Sequence, residues 1–378
     1  MKRSYFIVLC FFYCVQASSQ NEGALVLGDQ LYAMGNYSQA ITQYQQVEGA
    51  SPKIAKCYEA LGNSEKASAY YELTLSSTPE ALLPKYNFGK LLLKTAQFEK
   101  ADSLFSILEL KDPYNPNFAY HRGLVAERRN DSTAEDHFMR VIALDEAHQN
   151  ALYRLGKMLL EMRRFDRARG YIDAGLATEP NSIRFINLKA LMHFAEKDYH
   201  RALAAYMELV ALGQSTVQLH ENLATSYRNT NQFEKALEQY TILINEYDDQ
   251  IPEWHYGLGI TYMSLKNYEK SRRHIEIAIL LKDLPIEDEL MSLSYLFSAK
   301  LEYRKQMEVL NRVVNKYPSN ERAQYFLAAA ADNYYEDKKL VIPFYEKYLK
   351  KYGETGQFRE YGNQRLKDLK TGIHFNGE

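Results

Sequence analysis

Apolar and small side chains recur along this chain in one fixed phase. An aromatic closes a turn, a small residue stands three positions later, and a large side chain follows four beyond that. Asn231-Gln-Phe-Glu-Lys-Ala-Leu-Glu-Gln-Tyr240 shows the pattern, and variations of it begin at Gly35, Ala96, Arg163, Lys197 and Lys266. Residues four apart lie on the same helix face, one turn along. Each phrase therefore predicts the start of an amphipathic helix, with a small residue admitting a neighbour and a large one filling the space beside it. Such a stripe cannot be buried by one helix alone, so the units must stack.

A second small residue marks a preceding helix in each unit: Gly28, Ala55, Gly89, Gly123, Gly156, Ala190, Ala224, Gly259, Ser294 and Ala328. The first step is 27 residues and the others are 33 to 35. The matching set in the second helices is Ala40, Ala67, Ala101, Ala134, Ala168, Ala202, Ala236 and Ser271. Their large partners are Tyr44, Tyr71, Phe105, Phe138, Ile172, Tyr206, Tyr240 and Ile275. Two columns in register at one period predict tandem helix-turn-helix units in an all-α chain.

A period near 34 with these parts resembles the tetratricopeptide repeat. Leu155-Gly156, Leu258-Gly259 with Tyr262, Leu223-Ala224 with Tyr227, and closing prolines at Pro52, Pro79, Pro113, Pro180 and Pro318 carry the likeness. It covers roughly residues 24 to 350 and implies a right-handed α-solenoid of about ten repeats with a C-terminal capping helix. The family's tryptophan is missing from its usual place, and Trp254 lies one residue early. The expected organisation is a signal peptide over 1–19, a repeat array over 20–352, and a capping helix and tail over 353–378, the whole array forming one elongated domain.

Several units depart from the pattern. The second is about seven residues short, so its first helix near Ser51 to Leu61 should be stubby. The fourth has lost a residue near Asn130-Asp131. Gln306 replaces the second-helix alanine near Ser294, where a bend or softer joint is expected. A last helix is expected over Gln357 to Lys370, its charged outer face suiting the end of a stack, and Gly372 to Glu378 reads as a free tail.

Charge and composition narrow the function. The net charge is −2, with both signs interspersed, which disfavours nucleic acid as a partner. Lys2 and Arg3 precede an apolar run from Tyr5 to Val15, and Ala17-Ser18-Ser19 offers a cleavage site before Gln20. The run is too short to span a bilayer, which takes roughly 20 residues. Cleavage would remove Cys10 and Cys14, leaving Cys57 without a disulfide partner. The signal sequence and the tyrosine-rich array resemble exported repeat proteins of Gram-negative bacteria of the Bacteroides and Flavobacterium group. That resemblance implies the periplasm.

No catalytic motif, phosphate loop or paired-cysteine metal pattern is present in the sequence. The reading is a non-enzymatic scaffold with no cofactor and no metal, binding a protein or peptide of the cell envelope. In the resembled family the first helices line a groove for such partners. Here that face carries Tyr86, Tyr120, Tyr153 and Tyr256, three residues before the small position, with Lys90, Lys94, Arg128 and Lys157 beside them. The bland alternative is that these tyrosines cover the joints between units. A glycan stacking on the tyrosines is the other functional alternative. The family's carboxylate-holding pattern finds only fragments, among them His121, Asn150 and Arg154.

Overall fold

The computed structural model describes residues 22–282 and 286–375. The stretch read as a signal peptide, with its cleavage point, lies outside the described residues, as do residues 376–378. Every regular element among the described residues is helical. The helices come in ten pairs: α1 (22–33) with α2 (Tyr37–Tyr44), α3 (Ser51–Ala60) with α4 (Ser64–Ser77), and α5 (Leu82–Lys94) with α6 (Phe98–Lys111). There follow α7 (Pro116–Arg128) with α8 (Ala134–Leu144), α9 (Gln149–Glu161) with α10 (Phe165–Thr178), and α11 (Ile183–Ala195) with α12 (Tyr199–Ala211). The last four are α13 (Val217–Asn229) with α14 (Phe233–Ile242), α15 (Pro252–Ser264) with α16 (Tyr268–Leu281), α17 (Glu287–Ala299) with α18 (Tyr303–Lys316), and α19 (Glu321–Tyr334) with α20 (Ile342–Tyr352). A final helix, α21 (Arg359–Phe375), closes the chain. Tandem pairs of this kind make an α-solenoid. By compactness the chain divides into two units, up to Phe185 and from Ile186.

The two small-residue columns interlock. All ten first-helix positions and all eight second-helix positions are buried, as are the eight large partners. Within a pair the columns meet directly. A Cβ placed on Gly28 would come 2.6 Å from the Tyr44 ring, on Gly89 2.8 Å from Phe105, on Gly123 2.6 Å from Phe138, and on Gly259 2.8 Å from Ile275. The large side chain thus occupies the volume that a first-helix side chain would need.

Each of the first nine pairs turns through a single residue in the left-handed region. Gly35 and Gly62 hold two of these places, and Ala96, Asn130, Arg163, Lys197, Asn231, Lys266 and Leu301 hold the rest, with φ between 54 and 62° for the seven. The following amide reaches back to close the first helix, as from Gln97 N to Leu92 O at 2.8 Å and Glu302 N to Phe297 O at 2.9 Å. This is the Schellman closure. In the tenth pair a 3₁₀ turn, Lys338–Leu340, takes its place.

Packing runs without interruption past Ser294, where a bend or softer joint is expected. One apolar cluster extends from Ile275 to Ala331, and Met307, Leu310 and Val313 on α18 supply bulk where the small column lapses at Gln306. The fourth unit's deletion falls in the first turn of α8, which begins at Ala134 itself. Asp131 caps that turn by accepting from Thr133 N at 3.0 Å. The expected free tail needs correction: α21 continues through Gly372 to Phe375. It docks through Leu369, 4% exposed, through Arg365 to Asp332 at 2.6 and 3.0 Å, and through Lys370 to Glu346 at 2.7 Å.

Candidate functional site

The tyrosine column bridges neighbouring repeats. Tyr86 on α5 packs 5.8 Å from Phe118 and 5.0 Å from His121, both on α7. Tyr120 on α7 lies 5.1 Å from His148, at the start of α9. Tyr153 on α9 lies 5.9 Å from Phe185, with the Arg184 guanidinium 5.5 Å from its ring centre. In the second unit Tyr256 on α15 bonds Ser292 Oγ on α17 at 2.7 Å, and Tyr325 on α19 stacks on Phe358 at 4.6 Å and 9°. All four candidate tyrosines are half-buried. Each of the four thus contacts the neighbouring repeat.

The candidate cations fall into two groups. Lys90, Lys94 and Arg128 converge on one recess of about 450 Å³ in the first unit, together with His121 and Arg154. Leu93, Phe98 and Leu124 give it an apolar part. Lys157 does not line it and pairs instead with Glu161 on its own helix, at 3.7 Å. Tyr256 belongs to the second unit. In the sequence His121 and Arg154 read only as fragments of a carboxylate-holding pattern. Three helices bring them to the three lysine and arginine positions: α5 supplies Lys90 and Lys94, α7 supplies His121 and Arg128, and α9 supplies Arg154.

Charge in the recess is only partly balanced. Arg154 holds Glu127 at 3.0 and 3.2 Å. Among the described residues, no carboxylate pairs with Lys90, Lys94 or Arg128. Lys90 Nζ sits 5.5 Å from the centre of the Tyr86 ring, whose π face attracts a cation. His121 donates from Nδ1 to Asn117 O at 2.8 Å, which fixes its tautomer and leaves Nε2 as an acceptor. Burial holds the His121 pKa below its ordinary value; the Lys90 and His148 charges add to this, while the Asn117 carbonyl opposes it. A cationic recess with an apolar wall suits an anionic group carried on an apolar stem.

Other candidates are structural. Cys57 is wholly buried and burial pushes its thiol up to about 11, the opposite of an activated nucleophile. His193 is buried and its Nδ1 meets Glu196 at 3.1 Å. Among the described residues no three His, Cys, Asp or Glu side chains are grouped to hold a metal. None of the described helices is long and apolar enough to cross a membrane.

Sequence profiles described as tetratricopeptide repeat match residues 53–80, 130–192 and 221–280. The chain is a tetratricopeptide repeat protein. Tetratricopeptide repeat proteins bind protein or peptide partners and are generally non-enzymatic scaffolds. Among curated proteins, this one is 22% identical over 242 residues to the anaphase-promoting complex subunit CDC16 of Saccharomyces cerevisiae. That match takes in 61% of this chain and 28% of the relative. It is 21% identical over 234 residues to the TPR repeat-containing protein YpiA of Bacillus subtilis, covering 57% of this chain and 53% of that protein. The chain thus spans about half the length of one curated relative and about a quarter of the other. Among solved structures, the C-terminal part of a TPR repeat-containing protein from Cytophaga hutchinsonii superposes with a TM-score of 0.53 at 18% identity. It covers 62% of this chain and 99% of that one, and it supports the repeat fold.

Proposed function

We propose that this tetratricopeptide repeat protein is a scaffold of the cell envelope that holds an acidic segment of a partner protein in the recess between α5, α7 and α9. One observation carries the reading: three cations without carboxylate partners, a histidine and a paired arginine surround one opening with an apolar wall. A partner carboxylate entering there meets lysine and arginine together, and charge-assisted hydrogen bonds are about twice as strong as neutral ones. Leu93, Phe98 and Leu124 favour an aliphatic or aromatic residue next to the acid. The envelope location rests on the signal-like residues 1–19 and their resemblance to exported repeat proteins.

Fluorescence anisotropy with a labelled peptide of alternating glutamate and leucine tests the site. Wild type should bind it, should ignore the glutamine analogue, and should lose affinity as salt rises. Lys94→Glu combined with Arg128→Glu should weaken binding at least about tenfold, since like charge then faces the peptide. Unchanged affinity in the double variant, at unchanged helicity, would exclude the recess. Fractionation of producing cells, with mass measurement of the mature N-terminus, tests export separately.

A further inference from the structure

A second column of the repeat, on the other side of each first helix, points to a ligand site in the last repeat. Four residues before the small position, Lys85, His255 and Gln324 each reach back to a carbonyl six residues earlier. Lys85 Nζ meets Pro79 O at 2.9 Å, His255 Nε2 meets Asp249 O at 2.9 Å, and Gln324 Nε2 meets Pro318 O at 3.2 Å. His220 occupies the same place in the seventh repeat and bonds Ser215 Oγ at 3.0 Å. A carbonyl only accepts, so the Pro318 bond fixes which end of the Gln324 amide is nitrogen.

The two histidines and Gln324 have a second polar atom, and for the histidines the paired helix answers it from three residues after its own small position. His220 Nδ1 donates to Oε1 of Gln239, which follows Ala236 by three, at 2.8 Å. His255 Nδ1 meets His274, which follows Ser271 by three, at 3.1 Å. In the tenth repeat the buried residue that opens the second-helix phrase is Val341, with Tyr345 four beyond it. The residue three after Val341 is Phe344, a ring with no donor. Gln324 is 8% exposed, and its Oε1 meets no donor among the described residues. A recess of about 160 Å³ opens beside it, walled mainly by Val314, Leu327, Pro343, Phe344 and Tyr348, with Asn311 and Lys347 also on its lining.

From this geometry we infer that the recess is a binding site for a single phenol-like ring, whose hydroxyl donates to Gln324 Oε1 where His274 serves the eighth repeat. An apolar cavity of about 150 Å³ holds one benzene, so the volume suits one six-membered ring. An unpaired buried acceptor favours a ligand that brings a donor. The ring is either a small free phenol or the side chain of a partner's tyrosine.

The full chain is titrated by NMR with phenol, with benzene and with N-acetyl-tyrosinamide. Phenol should bind about fivefold or more tightly than benzene, shifting the signals of Leu327 and Phe344. Gln324→Met keeps the bulk and removes the carbonyl, so it should bring the two affinities together. Phe344→His, which restores an internal donor as in the eighth repeat, should also lower phenol affinity. Tighter binding of N-acetyl-tyrosinamide than of phenol identifies a partner's tyrosine as the source, and the reverse identifies a free phenol. Equal affinities for phenol and benzene in wild type, a preference that survives Gln324→Met, or no binding of any ring overturns the inference. The acidic-peptide recess lies in the other unit, so either proposal can fail alone.

Discussion

The first helices of repeats three to five and those of repeats seven to ten share a fold and differ in how their polar groups are satisfied. In the later repeats several of these groups bond to a neighbouring helix. Trp254 Nε1 donates to Glu221 at 2.7 Å, Tyr256 bonds Ser292 at 2.7 Å, Asn320 donates to Glu287 at 2.7 Å, and Tyr348 donates to Glu321 at 2.8 Å. In the earlier ones Lys90, Lys94 and Arg128 face an opening with no carboxylate answering them. The later region uses these side chains to hold neighbouring helices together, and the earlier one leaves these three cations available. In a repeat protein, where each unit is stabilised by its neighbours, that difference separates stability from recognition within a single sequence.

The largest expected effect breaks the packing that both regions share. Gly123→Leu forces a side chain into the Phe138 ring and should cost about 3 kcal/mol, at the upper end for overpacking. Urea unfolding should show it, and peptide binding should fall too because α7 forms one wall of the recess. A loss below about 0.5 kcal/mol would mean that the columns do not interlock.

Removing polar partners should then separate the two regions. Glu221→Leu leaves the Trp254 Nε1 donor, on a residue 6% exposed, without its acceptor and should cost about 1–2 kcal/mol with no effect on the acidic peptide. Arg128→Leu should do the opposite, changing stability by less than about 0.5 kcal/mol while weakening the peptide. If both variants lose stability alike, the contrast between the regions collapses.

Acid should pull them apart in a third way. His274 is held at about 4 against an ordinary 6.5, by burial first and then by the charges of His255, Arg273 and Lys270. The unfolded chain therefore takes up the proton earlier, and stability is lost as pH falls from about 6.5 toward 4. After discounting for the part of His274 that solvent reaches, the loss should be about 1 kcal/mol, and His274→Gln should flatten it. His121, also depressed, gains its charge as pH falls, so acidification should tighten binding of the acidic peptide while its own carboxylates stay ionised. Peptide affinity that is flat or falls on acidification would remove His121 from the recess's chemistry.

The columns of small and large residues were readable in the sequence because their spacing is a property of one helix. The recess was not, because its members sit at different offsets: Lys90 and Lys94 follow Gly89 by one and five, while His121 and Arg154 precede Gly123 and Gly156 by two. Only the superposition of three helices aligns them. The pairing of Gln239 and His274 with His220 and His255 was hidden for the same reason. The end of α21 was missed because Gly372 looks like a terminator, yet a glycine in a last turn costs only about 1 kcal/mol. The tight turns at Ala96 and Arg163 were foreseen in place but not in conformation, since neither residue has an intrinsic preference for positive φ.

Those turns give the smallest effect, and one that should treat both regions alike. Arg163 in the first unit and Leu301 in the second sit at φ 57° and 59°. A side chain there strains the backbone by about 1–2 kcal/mol, and glycine relieves this at the cost of a more flexible unfolded chain. Arg163→Gly and Leu301→Gly should therefore each stabilise by about 0.5 kcal/mol, seen as a matched rise in urea midpoint with unchanged slope. Equal gains would show that the turn is the same mechanical part throughout the chain, which leaves surface chemistry as the source of the contrast. A gain at one site and a loss at the other would mean that the two regions differ in their backbones as well.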